Sequence, residues 1–494
     1  MSSLTGSSVT ATHHRKPILA NFFKPGNDLL GYILVALSTI LWFEGKNLRS
    51  LNILLVIIAI FWLAVKLLAK TKLFSKKEKD FTKPSFKRKF KLLSFIIVIL
   101  VALLVLSTAI VINFAEDFGA SPSSHDSPNF EDGVFENINP TTMQSDEVST
   151  WDLLGDYLVS DDCRSPNEEL PSEKFELIDL EDGQISVTWF GHSTILIRSN
   201  NISIITDPVF SDSGAGPLSM GPAPFPYENS YSLDDLPKID YVFISHDHYD
   251  HLDMGTVKEL EDSEFLVPLG IKNHLLEWGI DEENIQELDW YDEVNLTEDL
   301  QAALTPARHF SGRGLSDSHS TLWGSWVFNF NEKNIYFSGD TGYMDEFVNI
   351  SERYGPFDLA FLDSGQYNVA WQQVHMLPEE VIQAGIDLNA SVILPIHISK
   401  YELALHHWYE PMELVSTLGA ERNVTVATPL LGSSFIIGED IPNEAWWRGV
   451  SECTEPFLDE NPVIEYVLIY IGIIGILWIV IPRIKNRKSN LEEE

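Results

Sequence analysis

Cysteine is almost absent from this 494-residue chain: Cys163 and Cys453 are the only two. They stand too far from any histidine cluster to serve as metal ligands. In an oxidising compartment they would bridge, clasping the points where the chain enters and leaves the segment between them; two free buried thiols are the alternative. Cations are also scarce over most of the length. Residues 1–115 carry a formal charge of about +12, residues 116–462 about −51 and residues 463–494 about 0. The long acidic section has no basic stripe to neutralise phosphates, which excludes nucleic acid as a partner. No internal repeat is present, so a solenoid is excluded as well.

Long apolar runs are missing from the centre but not from the ends. Residues 29–43, 51–69, 92–114 and 463–482 are candidate membrane spans. The third has no charge over 23 residues, enough to cross roughly 30 Å of hydrocarbon. The fourth has one acid, Glu465, near its edge, and the second holds Lys66, which can snorkel. The first two runs could instead form a buried helical hairpin. A signal peptide is a poor reading, because the N-terminus is polar and several apolar runs follow. Between the second and third runs lie Lys70, Lys72, Lys76, Lys77, Lys79, Lys83, Lys87, Arg88, Lys89 and Lys91. Positive loops stay in the cytoplasm. The basic start of the tail at 483–494 agrees, so the acidic section is expected on the extracytoplasmic side of an integral membrane protein.

The expected organisation follows. Residues 1–115 form a membrane region with about three helices, 116–182 an acidic linker and lead-in with a short helix near 151–158, and 183–440 a folded domain. Residues 441–462 are a connector, 463–482 a last span and 483–494 a cytoplasmic tail. Within 183–440, short β-rich runs are predicted at 185–190, 194–197, 202–205, 241–244, 265–268, 302–305, 326–330, 335–337, 359–362 and 392–395. Helical patterns fall at 254–261, 271–278, 378–388 and 411–418. Such an alternation implies two sheets sandwiched by helices.

The chemistry is concentrated in Ser245-His246-Asp247-His248-Tyr249-Asp250-His251, directly after an apolar run. Neutral imidazole and carboxylate together suit zinc and similar divalent ions. Three later runs each end in one ligand-type side chain: His309 after Thr305, Asp340 between Gly339 and Thr341-Gly342, and His397 after Pro395-Ile396. Together they supply seven ligands, as two metals sharing a bridging carboxylate need. Asp247 is expected to face solvent or a partner outside the metal shell. Asp207, before Pro208, either orients a ligand histidine or is a turn residue.

The order His-x-His-x-Asp-His, His, Gly-Asp-Thr-Gly, Pro-Ile-His resembles the metallo-β-lactamase superfamily. Trp189-Phe190-Gly191-His192-Ser193-Thr194, Thr206-Asp207-Pro208, Met220-Gly221-Pro222 and His375-Met376-Leu377-Pro378-Glu379-Glu380 resemble its branch containing the N-acylphosphatidylethanolamine-hydrolysing phospholipase D, and bacterial lactonase-like relatives share some of these. The resemblance implies a four-layer αββα sandwich, here flanked by N-terminal and C-terminal transmembrane helices. It implies two zinc ions, or other divalent metals, with His246, His248 and His309 on the first, Asp250, His251 and His397 on the second, and Asp340 between them. His375 and His192 are the remaining cleft candidates, and Asp250 and Asp340 belong to the catalytic set with them.

The implied activity is hydrolysis of a phosphodiester by a metal-activated hydroxide, with a membrane phospholipid as substrate. A lactone, amide or small-molecule ester or thioester is the alternative, and the loop 210–231 is expected to line the pocket and decide between them. The chain departs from the branch at Ala223-Pro224-Phe225-Pro226-Tyr227-Glu228-Asn229, where basic residues are typical. Nuclease activity is disfavoured by the acidity. A diiron redox site is disfavoured because the first cluster lacks a Glu. A receptor or scaffold on a retired hydrolase fold is the non-enzymatic reading, against which stands a complete ligand set.

Overall fold

The computed structural model describes residues 115–120, 125–145, 148–149, 153, 155, 163–199, 202–211, 214–219, 221–314, 317–330 and 333–450. The four apolar runs, the basic loop, the C-terminal tail and most of the expected 151–158 helix lie outside the described residues. Among the described residues no helix is long and apolar enough to cross a membrane. Two compact units divide the chain after Phe118. Of the first, the described part is a single 3-10 turn, Glu116–Phe118; the second holds everything below.

The chain order is β1 (Phe130–Glu131), β2 (Val134–Phe135), β3 (Ile185–Trp189), β4 (Ile195–Ser199), β5 (Ile202–Thr206), β6 (Tyr241–Phe243), α1 (Met254–Glu259), β7 (Glu264–Pro268), α2 (Lys272–Trp278), β8 (Ile285–Leu288), β9 (Glu293–Asn295), β10 (Gln301–Thr305), β11 (Ser325–Phe330), β12 (Lys333–Phe337), α3 (Glu346–Tyr354), β13 (Leu359–Asp363), α4 (Pro378–Asp387), β14 (Ile393–Ile396), α5 (Glu410–Arg422) and β15 (Ser434–Ile436). A seven-stranded sheet runs β15-β3-β4-β5-β6-β7-β8, and a six-stranded sheet runs β14-β13-β12-β11-β10-β9.

Both sheets are mixed. Pairing is antiparallel from β15 to β5 and parallel from β5 to β8. In the second sheet it is parallel from β12 to β14 and antiparallel from β12 to β9. Strands such as β3 and β13 are buried at every position. In β13 that goes with a nearly continuous apolar run, since a strand covered on both faces has no solvent side to mark by alternation; β3 still alternates, and its Ser186 and Thr188 are buried.

Three apolar layers result. Trp189, Phe243, Trp326, Phe328, Phe337 and Phe361 fill the space between the sheets. Val257, Leu275 and Trp278 of α1 and α2 pack with Val242 and Phe265 on the outer face of the first sheet. Phe347, Val381, Ile382 and Val415 of α3, α4 and α5 pack with Tyr336, Ala360 and Leu362 outside the second. The architecture is therefore helix–sheet–sheet–helix, as expected. Helix ends follow local chemistry. Asp253 caps α1 by accepting from Gly255 and Thr256 N–H groups, and α2 stops at Gly279, whose φ of 97° suits glycine.

The sequence reading missed β8, β9, β15 and α3, which are short or carry charged residues on their outer positions. It read 116–182 as an acidic linker and lead-in. Within it β1 and β2 pair as a hairpin, Phe135 is 1 % exposed, and Leu170 N–H donates to Pro226 O at 2.8 Å. A few aromatic anchors and backbone hydrogen bonds suffice where overall composition is polar.

The strand directions place the site. β3, β5 and β6 of the first sheet run one way, and so do β10, β12, β13 and β14 of the second. Their carboxyl ends are followed by His192, Asp207, His246, His309, Asp340 and His397, while β13 itself ends in Asp363. Ligands commonly gather beyond the carboxyl ends of such strands. Trp326 ties the two sheets just beneath, its indole N–H donating to Ile244 O at 2.9 Å. Trp326→Phe should cost about 1–3 kcal/mol by orphaning that buried carbonyl. Chemical denaturation of the purified protein would measure it, and an unchanged midpoint would show that the bond carries no net stability.

Candidate metal centre

Seven side chains converge at this edge. In one group His246 Nε2 lies 2.8 Å from His248 Nδ1, and His309 Nε2 lies 3.3 Å from the same atom. Asp340 Oδ2 stands 3.7 Å from both His246 Nε2 and His309 Nε2. In the other group Asp250 Oδ2 is 3.5 Å from His251 Nε2 and 3.4 Å from His397 Nε2. Asp340 reaches this group too, with Oδ1 at 3.2 Å from His251 Nε2 and Oδ2 at 3.3 Å from His397 Nε2. One carboxylate thus faces both groups, and the structure brings all seven expected residues together.

Asp340 takes this place because Gly339 precedes it. Gly339 has φ of +56°, and a Cβ there would come 2.5 Å from Ser245 Cβ. Only glycine allows the β12 loop to lie so close to the β6 loop.

The surrounding hydrogen bonds decide the tautomers. His309 Nδ1 donates to Val374 O at 3.1 Å, and His251 Nδ1 donates to Asp207 Oδ2 at 2.7 Å. His397 Nδ1 donates to Asp363 Oδ1 at 3.2 Å. Ser245 Oγ donates to Asp207 at 2.6 Å and so accepts from His246 Nδ1 at 2.9 Å. Each of these four rings turns its Nε2 toward the centre, where the neutral form of the ring offers a lone pair. Neutral rings so placed would face one another with lone pairs, and the buried His251 Nε2 and Asp340 Oδ1 lie 3.2 Å apart without the geometry of a hydrogen bond. A cation resolves both problems, so the donor set fits divalent metal ions.

The electrostatics separate the rings: His246 and His309 are held neutral, whereas the carboxylates beside His251 and His397 hold those two as cations, a charge that a metal ion would replace. Burial, together with neighbouring imidazoles, holds His246 well below the usual histidine range, and burial does the same to His309. Burial opposes the charge on Asp340, yet His251 and His397 beside it keep that carboxyl well below its ordinary value. His397 moves the other way: burial is overcome by Asp340 and Asp363, which raise it to about 10. The carboxylates therefore stay ionised and hold positive charge at the Nε2 edge.

A family model described as a β-lactamase superfamily domain matches residues 203–398. An uncharacterized protein of Mycobacterium tuberculosis is 38% identical over 341 residues, covering 66% of this chain and 88% of that relative. The N-acyl-phosphatidylethanolamine-hydrolyzing phospholipase D 1 of Caenorhabditis elegans is 33% identical over 291 residues, covering 55% of this chain and 79% of the relative. A metallo hydrolase structure from Ignicoccus hospitalis is 22% identical with a TM-score of 0.40, over 52% of this chain and 100% of that one. The chain belongs to the metallo-β-lactamase superfamily. It is a metallo-hydrolase of the β-lactamase fold.

Within this superfamily fold, further residues hold the seven in place. Asp207 is fully buried and accepts from Ser245 N–H at 2.7 Å as well as from Ser245 Oγ and His251. It is the orienting residue, not merely a turn before Pro208. Asp363, closing β13, was missed from the sequence. Its carboxylate accepts from His397 Nδ1, from Thr341 N–H at 3.0 Å and from His375 Nδ1 at 2.9 Å. The available signal was an acid ending a wholly apolar strand, Leu-Ala-Phe-Leu-Asp.

The two remaining cleft candidates separate. His375 stacks 5.0 Å from the His397 ring and keeps partial exposure. His192 is fully buried and donates from Nε2 to Asp250 Oδ2 at 2.9 Å. Burial and nearby His397 push it down to about 3, so it is neutral. His192 therefore stands neutral beside Asp250, in one buried group with His251 and His397.

Asp247 does not face solvent either: it accepts from Gly312 N–H at 2.7 Å and from Thr321 Oγ1 at 2.8 Å. Backbone strain collects around the site. Positive φ angles occur at His192 (53°), Asp207 (36°), Gln366 (54°), His397 (64°) and Ser399 (62°). Such conformations cost about 1–3 kcal/mol each and persist where the surroundings enforce them.

Asp207→Ala should weaken metal binding about 10- to 100-fold by releasing His251, read by competition with a chromophoric chelator. An unchanged affinity would refute the orienting role. Lys400 gives a pH test. Its buried ammonium donates to Val209 O at 2.6 Å and lies 5.7 Å from the Phe210 ring centroid. Burial pushes it down to about 8 from 10.5, against the pull of Asp253. Between those values the unfolded chain binds more protons than the folded one, so stability should rise with pH. Denaturation midpoints of wild type and Lys400→Met should diverge in slope across that window; parallel curves would refute the shift.

Proposed function

We propose that this protein is a membrane-anchored, dinuclear zinc hydrolase that cleaves a phosphodiester, with a phospholipid as substrate. The observation that carries the reading is that Asp340 faces both ligand groups. His246, His248 and His309 would hold one ion, Asp250, His251 and His397 the other, with Asp340 between them. Two divalent ions there would supply a hydroxide at neutral pH and stabilise the attacking and leaving oxygens of an in-line displacement.

The chain's own residues do the rest. Asp207 and Asp363 fix ring orientation, and His192 fixes Asp250. His375 uses Nδ1 on Asp363, which leaves Nε2 as the ring atom to protonate a leaving oxygen. The substrate class is supported by the C. elegans relative, whose name states hydrolysis of an N-acyl-phosphatidylethanolamine. The apolar terminal runs support anchoring, which would keep the site close to lipid.

The extracytoplasmic placement is supported by the basic loop between the second and third runs and by Cys163, which is disulfide-bonded. An epitope inserted at the exposed turn Glu181-Asp182-Gly183 should be reached by antibody on unpermeabilised cells. Labelling only after permeabilisation would overturn that placement.

A second reading, hydrolysis of a lactone, amide or thioester, is favoured by one feature: the segment Ala223–Asn229 has no cation to meet an anionic headgroup. Both readings are tested by incubating detergent-purified protein and its Asp250→Asn variant with a mixed lipid extract and one generic phosphodiester. Wild type should release phosphatidic acid. The variant should lose activity by at least the 10- to 100-fold, roughly, of outer-shell substitutions. Equal turnover of phosphodiesters by both proteins would remove the phospholipase reading.

A further inference from the structure

His309 stands outside its sheet. β10 ends at Thr305, and Pro306-Ala307-Arg308 carry the chain away before His309 is reached. Its backbone N–H and C=O have no strand partner, and a side chain supplies both. Asn137 Nδ2 donates to His309 O at 2.8 Å, and His309 N–H donates to Asn137 Oδ1 at 3.2 Å. The primary amide thus pairs with His309 as a neighbouring strand would. Trp323 Nε1 donates to the same Oδ1 at 3.2 Å, fixing the amide's orientation.

Asn137 is itself held from both sides. Upstream, Phe135 is buried, its N–H donates to His319 O at 2.7 Å, and its ring lies 4.7 Å from Phe130. Downstream, Arg308 Nε donates to Thr141 Oγ1 at 3.0 Å and Arg308 Nη1 donates to Tyr343 O at 3.2 Å, joining the segment to the loop after Asp340. Thr142 N–H donates to Gln373 Oε1 at 2.8 Å and Ser145 N–H to Ala370 O at 2.6 Å, joining it to the loop that bears His375. These bonds span 172 residues between Asn137 and His309, so they are tertiary and not local.

We infer that residues 129–145 are a strap that positions the first metal group, with Asn137 the positioning residue for His309. This rests on the metal reading above and adds a selectivity to it. His251 and His397 of the second group have their own carboxylates, Asp207 and Asp363, and do not touch the strap in any described bond. Removing the Asn137 amide should therefore loosen the first site and spare the second.

The test uses full-length, detergent-purified protein titrated with Co2+, followed by visible absorption and by metal analysis after graded exposure to chelator. Wild type should hold two ions per chain. Asn137→Ala should hold one ion normally and bind the other about 10- to 100-fold more weakly, with loss of one set of Co2+ bands. Trp326→Phe is the comparison for general destabilisation and should keep both ions. Asn137→Asp keeps the acceptor for His309 N–H and Trp323 but loses the donor, and should fall between wild type and Asn137→Ala. It also serves if the alanine variant does not fold.

Retention of both ions at wild-type affinity in Asn137→Ala would overturn the inference. So would equal weakening of both ions, or the same weakening in Trp326→Phe. Absence of metal from wild type itself would instead overturn the metal reading, and the strap's role with it.

Discussion

One buried carboxylate sets the terms for the rest of this structure. Asp340 is 3 % exposed and lies within 3.7 Å of four histidine nitrogens belonging to two groups. An ionised group so far from water is tolerated only if positive charge faces it. Imidazoles whose Nδ1 protons are already committed elsewhere present lone pairs to it when neutral and cannot all supply that charge. The arrangement is coherent with divalent ions in the centre and frustrated without them, which is the physical reason to read it as a metal site.

The architecture exists to bring donors to that carboxylate from unrelated points in the chain. Two mixed sheets face each other across an aromatic core, and strands of both deliver their carboxyl ends to one edge. The precision comes from a ring of supports outside the ligands. Asp207 serves the first sheet, Asp363 the second, and Asn137 reaches His309 from a segment with almost no regular structure. Positive φ angles at His192, Asp207 and His397 show that the backbone itself is bent to the same end. Each support holds a proton or a carbonyl at a fixed place, so that the Nε2 atoms face the centre.

The chain's charge distribution complements this chemistry. The acidic domain carries the site, and the cations gather in the stretch with the apolar runs. Buried cations among the described residues, such as Lys400 and Arg313, are spent on carbonyls: Lys400 on Val209 O, and Arg313 on Asp247 O and Leu252 O.

The seven ligands were legible because metal binding restricts residue type: only His and Asp at strand ends fit, and their order along the chain survives without any knowledge of packing. The major strands were legible from apolar runs, and the helices from their periodicity. What escaped was held by contacts between distant segments. β15 is three residues long and is a strand only because it pairs with β3. Asp363 reads as an ordinary acid until β13 and β14 lie side by side. Asn137 sits in a polar stretch whose composition argues for a linker, and its role appears only with His309 against it. The bond of His192 to Asp250 likewise appears only once β3 and the loop after β6 lie together. The sequence by itself determined which atoms bind, since that depends on chemical identity. Tertiary structure alone decided which residues hold those atoms still, because orientation depends on hydrogen bonds between segments that no local pattern links.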